Sequence, residues 1–157
     1  MDKYLALFQD GLFKGLAPDE AEAFLSRCHQ MTYKDGTRLF EEMSEADKLY
    51  LPVSGSIRLC FKMPSKKGEA TLVTRMPGEA VGWSSVVPPH HYQFSGVCCG
   101  ETTVFVIDRQ SMQTLFSTNY HFAYIFMRNI AVLAVDRMIR LRDNLAKIIG
   151  DEAVTGW

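Results

Sequence analysis

The chain has 157 residues, 47% of them hydrophobic and 22% charged, with a formal net charge of −1. That length suffices for one domain with a sizeable core, and that charge gives the molecule no electrostatic pull toward nucleic acid or an anionic membrane. No apolar run reaches the roughly 18 residues of a membrane span. Met1 to Leu5 has no basic segment leading into an apolar one, so the expected location is cytoplasmic, without membrane contact.

Tyr4, Leu5, Leu7, Phe8, Leu12 and Phe13 form an apolar rhythm broken by Gly11 and Gly15, the pattern of a short leading helix and a turn. Pro18-Asp19-Glu20 opens a second helix, since proline suits a first turn and acids suit the positive end of the helix dipole. Ala21, Phe24, Leu25 and Cys28 share its face, and it should end near His29. The period then becomes extended. Strands are expected at Met31–Lys34, Thr37–Phe40, Lys48–Val53, Ile57–Lys62, Ala70–Met76, Gln93–Cys99 and Thr102–Ile107. Asp35-Gly36, Ser54-Gly55-Ser56, Pro64–Gly68 and Pro77-Gly78 supply the turns between them. About eight short strands punctuated in this way indicate an antiparallel barrel or jelly roll. The expected fold class is therefore mainly β with flanking helices, a double-stranded β-helix followed by a long C-terminal helix.

Ser111, Met112, Leu115 and Phe116 suggest a short helix ending near Thr118-Asn119. Tyr120 to Ile149 contains neither glycine nor proline, which predicts one helix of about 30 residues with Gly150 as its stop. Two apolar stripes run along it. One passes through Phe126, Ile130, Leu133 or Ala134, Met138, Leu141, Leu145 and Ile148, the other through Ile125, Val132, Val135 and Ile139. One stripe can pack on the barrel, and a homodimer through paired 120–149 helices is the economical partner for the second. The same stretch is locally basic, with Arg128, Arg137, Arg140, Arg142 and Lys147 against Asp136 and Asp143.

Cys28, Cys60, Cys98 and Cys99 contain no C-x-x-C spacing, and adjacent residues on a strand face opposite ways, so buried thiols are expected rather than a metal site. There is no G-x-S-x-G, H-E-x-x-H or P-loop, and no enzyme activity is expected. A cupin-type metal site would need histidines and a carboxylate on facing strands, which the adjacent pair His90-His91 does not supply. The one unusual stretch is Pro77 to Val86 with the following turn to Tyr92. Turn residues, two hydroxyls, an indole and two imidazoles crowd there between apolar runs.

Helix, jelly roll and long helix, together with particular motifs, resemble the cyclic nucleotide-binding domain of the cyclic-AMP receptor and fumarate–nitrate regulator family. "GLFKGLAPDEAEAFLSRC" is similar to the family's entry helices, and "LYLPVSGSIRL" (Leu49 to Leu59) to its strand–glycine–strand signature. "PGEAVGW" occupies the place of the lead into the phosphate-binding cassette, and "TTVFVIDRQSM" resembles the closing strand and next helix. The resemblance implies entry helices over 1–30, a sensor jelly roll over 31–118, and a dimerisation helix with its tail over 119–157. It also implies a non-enzymatic sensory module like the effector-binding half of a transcription regulator.

In the family a cassette glutamate binds the ribose and an arginine pairs with the cyclic phosphate. Aligned through Gly82 and the Val104–Ile107 strand, the glutamate position holds Trp83, the arginine position Tyr92, and the following hydroxyl position Gln93. An arginine fork gives bidentate phosphate recognition, whereas a tyrosine donates one neutral hydrogen bond. Ordinary cyclic-nucleotide binding is therefore not expected, the alternative being a true cyclic-nucleotide or other small anionic ligand sensor. Either Trp83 plugs the pocket, or a different small effector fills it, with Val81, Gly82, Trp83, Ser84, Ser85, Tyr92 and Gln93 as candidate lining. By the same alignment Leu133, Arg137 and Met138 on the long helix face the ligand, and Arg75 approaches from the strand before the cassette. Those arginines either take an acidic ligand or pair with Asp136 and Glu79. Haem-binding members of the superfamily leave haem as an alternative cofactor, with an imidazole or a cysteine as iron ligand; otherwise no cofactor is expected. Only seven residues follow Gly150, too few for the helix-turn-helix domain of these regulators, so direct DNA binding by this chain is not expected.

Overall fold

The computed structural model describes residues 2–155 apart from Lys66. Helices α1 (Asp2–Phe8) and α2 (Pro18–Ser26) lead into strands β1 (His29–Tyr33), β2 (Arg38–Phe40), β3 (Lys48–Lys62), β4 (Glu69–Arg75) and β5 (Ser95–Asp108). A 3-10 turn over Trp83–Ser85 lies between β4 and β5, and helices α3 (Arg109–Thr118) and α4 (Tyr120–Thr155) follow. The antiparallel sheet runs β1-β5-β3-β4, with β2 also on β5. This is the expected jelly roll with its long C-terminal helix.

Two strand pairs expected on either side of a turn are instead continuous. Lys48–Val53 and Ile57–Lys62 join through Gly55 into β3, and the two segments flanking Gly100 join into β5. Register shifts between Pro52 and Ser54 and between Ser54 and Ser56 bend β3 against β5, so one pair of long strands serves both ends of the roll. The expected strand start at Gln93 is also corrected: β5 begins at Ser95, and Gln93 stays in the preceding loop.

The alternation along β3 and β5 separates two cores. Leu49, Leu51, Phe105 and Ile107 pack on one side with Phe8, Phe24, Phe122 and Phe126 of the helices. Tyr50, Val104 and Val106 point the other way, into the roll, with Phe40, Leu59, Val81 and Tyr92. A strand buried on both faces reads as a continuous apolar run, which is what Val104–Ile107 shows.

Asp108 caps α3 by accepting hydrogen bonds from the Ser111 N–H and hydroxyl, both at 2.8 Å. The Asn119 side-chain oxygen accepts the Phe122 N–H at 2.9 Å and starts α4. Buried Asn129 donates to the Leu12 and Lys14 carbonyls, each at 2.9 Å, and so pins α4 to the turn between α1 and α2.

Gly150 does not stop α4, which continues to Thr155. A glycine inside a helix costs only about 1 kcal/mol relative to alanine, and no proline follows to enforce an end. The stripe assignment also changes. Ile125, Phe126 and Ile130 are all buried within the chain, whereas the apolar residues of both stripes from Val132 onward, Leu133 apart, are exposed, from 40% for Ile139 to 63% for Met138. Packing on the roll follows Phe122, Phe126 and Ile130, and then passes to half-buried Leu133 and Arg137.

Candidate functional site

The cassette segment begins where β4 ends. Gly82 has φ +88°, and a Cβ there would lie 2.7 Å from the Lys48 carbonyl oxygen and 3.4 Å from the Tyr50 and Tyr92 rings. Only glycine fits that close approach. Val81 pairs with Tyr50 in an isolated bridge and is fully buried. Ser85 is likewise buried, and its hydroxyl donates to the Gly82 carbonyl at 2.7 Å. Both residues lie beneath the site rather than on its wall.

A cavity of about 310 Å³ lies between this segment and α4. Gly82, Trp83, Ser84, Tyr92, Gln93, Arg137 and Met138 line it, so seven of the candidate residues converge. Phe40, Leu59, Phe94, Ala134 and Leu141 complete the wall. Those five carry no sequence signal beyond apolar character, which fits any core position equally well. Arg75 and Leu133 border neighbouring cavities instead.

The Trp83 ring N–H and the Tyr92 hydroxyl are already engaged. The Trp83 Nε1–H donates to the Ala80 carbonyl at 2.9 Å. The Tyr92 hydroxyl donates to the Lys48 carbonyl at 2.8 Å and accepts the Lys48 N–H at 3.1 Å. Burial pushes the Tyr92 phenol up to about 12, and its ring stacks on Phe40 with centroids 4.3 Å apart. Tyr92 thus offers the cavity a ring rather than a hydroxyl. His90 Nδ1 lies 3.0 Å from the Ser84 carbonyl oxygen and holds the loop to the 3-10 turn. Among the described residues, no three of His, Cys, Asp and Glu gather into a metal site.

Arg137 crosses from α4 to the cassette. Its guanidinium lies 3.5 Å from the Trp83 ring centroid and donates to the Ala80 carbonyl at 3.1 Å. Trp83 and Arg137 therefore share one acceptor and stack on each other. Burial, aided by the charge of Arg75, lowers the Arg137 guanidinium to about 9. It remains a cation at neutral pH. Arg75 is buried on β4 and pairs with Glu79 at 3.1 Å. Of the two acidic partners anticipated for these arginines, Glu79 is used, whereas Asp136 makes no ion pair among the described residues.

No helix among the described residues is long and apolar enough to cross a membrane. Comparison with known proteins agrees with the fold. The chain is 25% identical over 150 residues to the CRP-like cAMP-activated global transcriptional regulator of Mycobacterium tuberculosis, an alignment covering 95% of this chain and 63% of that one. It is 32% identical over 104 residues to the cyclic AMP receptor protein of Thermus thermophilus, covering 66% and 48%. The chain thus spans about half to two thirds of the length of these curated relatives. The crystal structure of the Thermus thermophilus catabolite activator protein superposes with a TM-score of 0.74 at 27% identity, over 87% of this chain and 62% of that one. A cyclic nucleotide-binding domain from Methylobacillus flagellatus superposes with a TM-score of 0.81 at 19% identity, over 92% and 84%, a likeness of fold. The family profile described as the cyclic nucleotide-binding domain matches residues 30–119, and the chain belongs to that family.

Proposed function

We propose that this chain is a non-enzymatic effector-sensing module of the cyclic-AMP receptor type that does not bind cyclic nucleotides in the usual way. The observation that carries this reading is the closed circuit at the cassette. Trp83 stands at the position where the family has its ribose-binding glutamate, with its N–H spent on Ala80 and its face covered by Arg137. Tyr92 stands at the position of the phosphate-binding arginine, with its hydroxyl spent on the Lys48 backbone. A cyclic phosphate would find no free cationic fork on the cassette. The remaining cavity is walled largely by aromatic and aliphatic side chains, and its volume of about 310 Å³ falls at the lower end of ordinary small-molecule sites. An effector seated there would touch both the cassette and α4 and so bias how the helix packs.

The output surface in this reading is α4 itself. Ala134, Met138, Leu141, Leu145 and Ile148 repeat at alternating spacings of four and three, the seam of a two-stranded coiled coil. A second copy of the chain is the occupant that fits such a self-complementary stripe.

The names of the relatives support a competing reading, in which cyclic AMP is the ligand. Calorimetric titration with cyclic AMP and cyclic GMP decides between them. No binding is expected up to high micromolar concentration, and low-micromolar affinity for either nucleotide overturns the proposal.

A further inference from the structure

Beyond the cassette, the cleft beside α4 has a second lobe of about 210 Å³, lined by Arg75, Arg137 and Arg140 together with Leu59, Phe94 and Leu141. Four of these residues (Leu59, Phe94, Arg137 and Leu141) also line the cavity at Trp83, so the two are neighbouring parts of one cleft. No carboxylate is among the residues lining this second lobe, although the same three arginines also border an adjoining cavity whose lining includes Glu79 and Asp136, of which only Glu79 forms an ion pair among the described residues. Arg75 spends one Nη on Glu79, its side chain is only 10% exposed, and its buried Nε has no hydrogen-bond partner. Arg137 and Arg140 make no ion pair among the described residues. Three like charges facing one cavity, one of them with an orphaned buried donor, leave an unmet demand for an acceptor with negative charge.

We propose that this lobe holds the charged end of an organic carboxylate whose apolar body runs past Phe94 and Leu141 toward Trp83. The inference rests on reading the cleft as an effector site, and it moves the charge recognition from the cassette to β4 and α4. Arg75 supplies the fixed donor from the roll, and Arg137 and Arg140 supply donors from the helix. Occupancy would therefore tie α4 to the roll through the ligand's charge.

The test is calorimetric titration of the intact chain with decanoate and 2-naphthoate, with decanol as the uncharged control. At least one carboxylate is expected to bind, more weakly as salt is raised, and decanol to bind at least about tenfold more weakly. Arg140 is exposed, so Arg140→Gln should fold normally and lose about tenfold in carboxylate affinity, with Arg140→Lys recovering part of it. Arg75→Gln, checked for folding by circular dichroism, should lose at least as much. The proposal is overturned if neither carboxylate binds, if decanol matches decanoate, or if both glutamine variants bind like the native chain. A parallel cyclic AMP titration separates the two readings. Silence from both cyclic AMP and the carboxylates removes only the anion lobe, whereas low-micromolar cyclic AMP binding removes the reading of the cassette.

Discussion

Gly55 turns β3 at φ +72°, and a Cβ there would run into the Glu101 carbonyl and the Thr102 side chain. Both the left-handed backbone and the contact oppose any side chain, so Gly55→Ala should cost about 2–3 kcal/mol in denaturant unfolding. A loss below about 0.5 kcal/mol would sink that account. Asp108 makes a prediction with a pH signature. The Ser111 backbone N–H, helped by the Ser111 hydroxyl, holds its carboxyl below the usual carboxylate range. A carboxylate depressed on folding adds stability that is complete above its unfolded value near pH 4 and is lost as pH falls through the lower folded value. Asp108→Asn keeps a capping oxygen without the charge, so it should be less stable than the native chain at pH 7, and the gap should close in acid as pH falls through the lowered folded value. Unfolding midpoints at pH 7 and in acid measure this; a gap that persists in acid would mean that the charge is not responsible.

Among the elements, α4 carries the main mechanical question. Its 36 residues make a rod roughly 54 Å long, and the roll covers only its first part. Eight large apolar side chains beyond Ile130 (Val132, Val135, Met138, Ile139, Leu141, Leu145, Ile148 and Ile149) are each at least 40% exposed in the single chain. A soluble monomer rarely carries so long an apolar strip. Sedimentation should therefore show a dimer, and Leu145→Asp combined with Ile148→Asp should yield a folded monomer. A native chain that runs as a monomer at every concentration tested would remove the helix-pairing proposal. The buried cassette of Val81 and Ser85 should be unaffected by those changes, since neither altered residue touches the roll core.

For the molecule as a whole, hydrophobic periodicity encodes much of the element order. The switch from helical to alternating patterns marks α2, the β-roll and α4, because burial on one face or two imprints a period on the chain. The stretch from Gly78 to Tyr92 stood out through its glycines and the aromatic and hydroxyl side chains crowded between apolar runs. Local patterns could not show that β3 and β5 run unbroken through Gly55 and Gly100, because a glycine with positive φ serves a bulged strand as readily as a turn. Nor could they show that Gly150 lies inside α4, since one helical glycine is a small penalty set against a long favourable run. Chain order and residue chemistry alone were enough to place a β-roll before a long helix and to single out the stretch from Pro77 to Tyr92. The folded arrangement alone decided that Arg137 stacks on Trp83, that Tyr92 turns its hydroxyl to Lys48, and that Arg75 and Arg140 share a cavity. Each of those contacts joins residues tens of positions apart, and a side chain's direction across such a gap follows from packing rather than from local sequence.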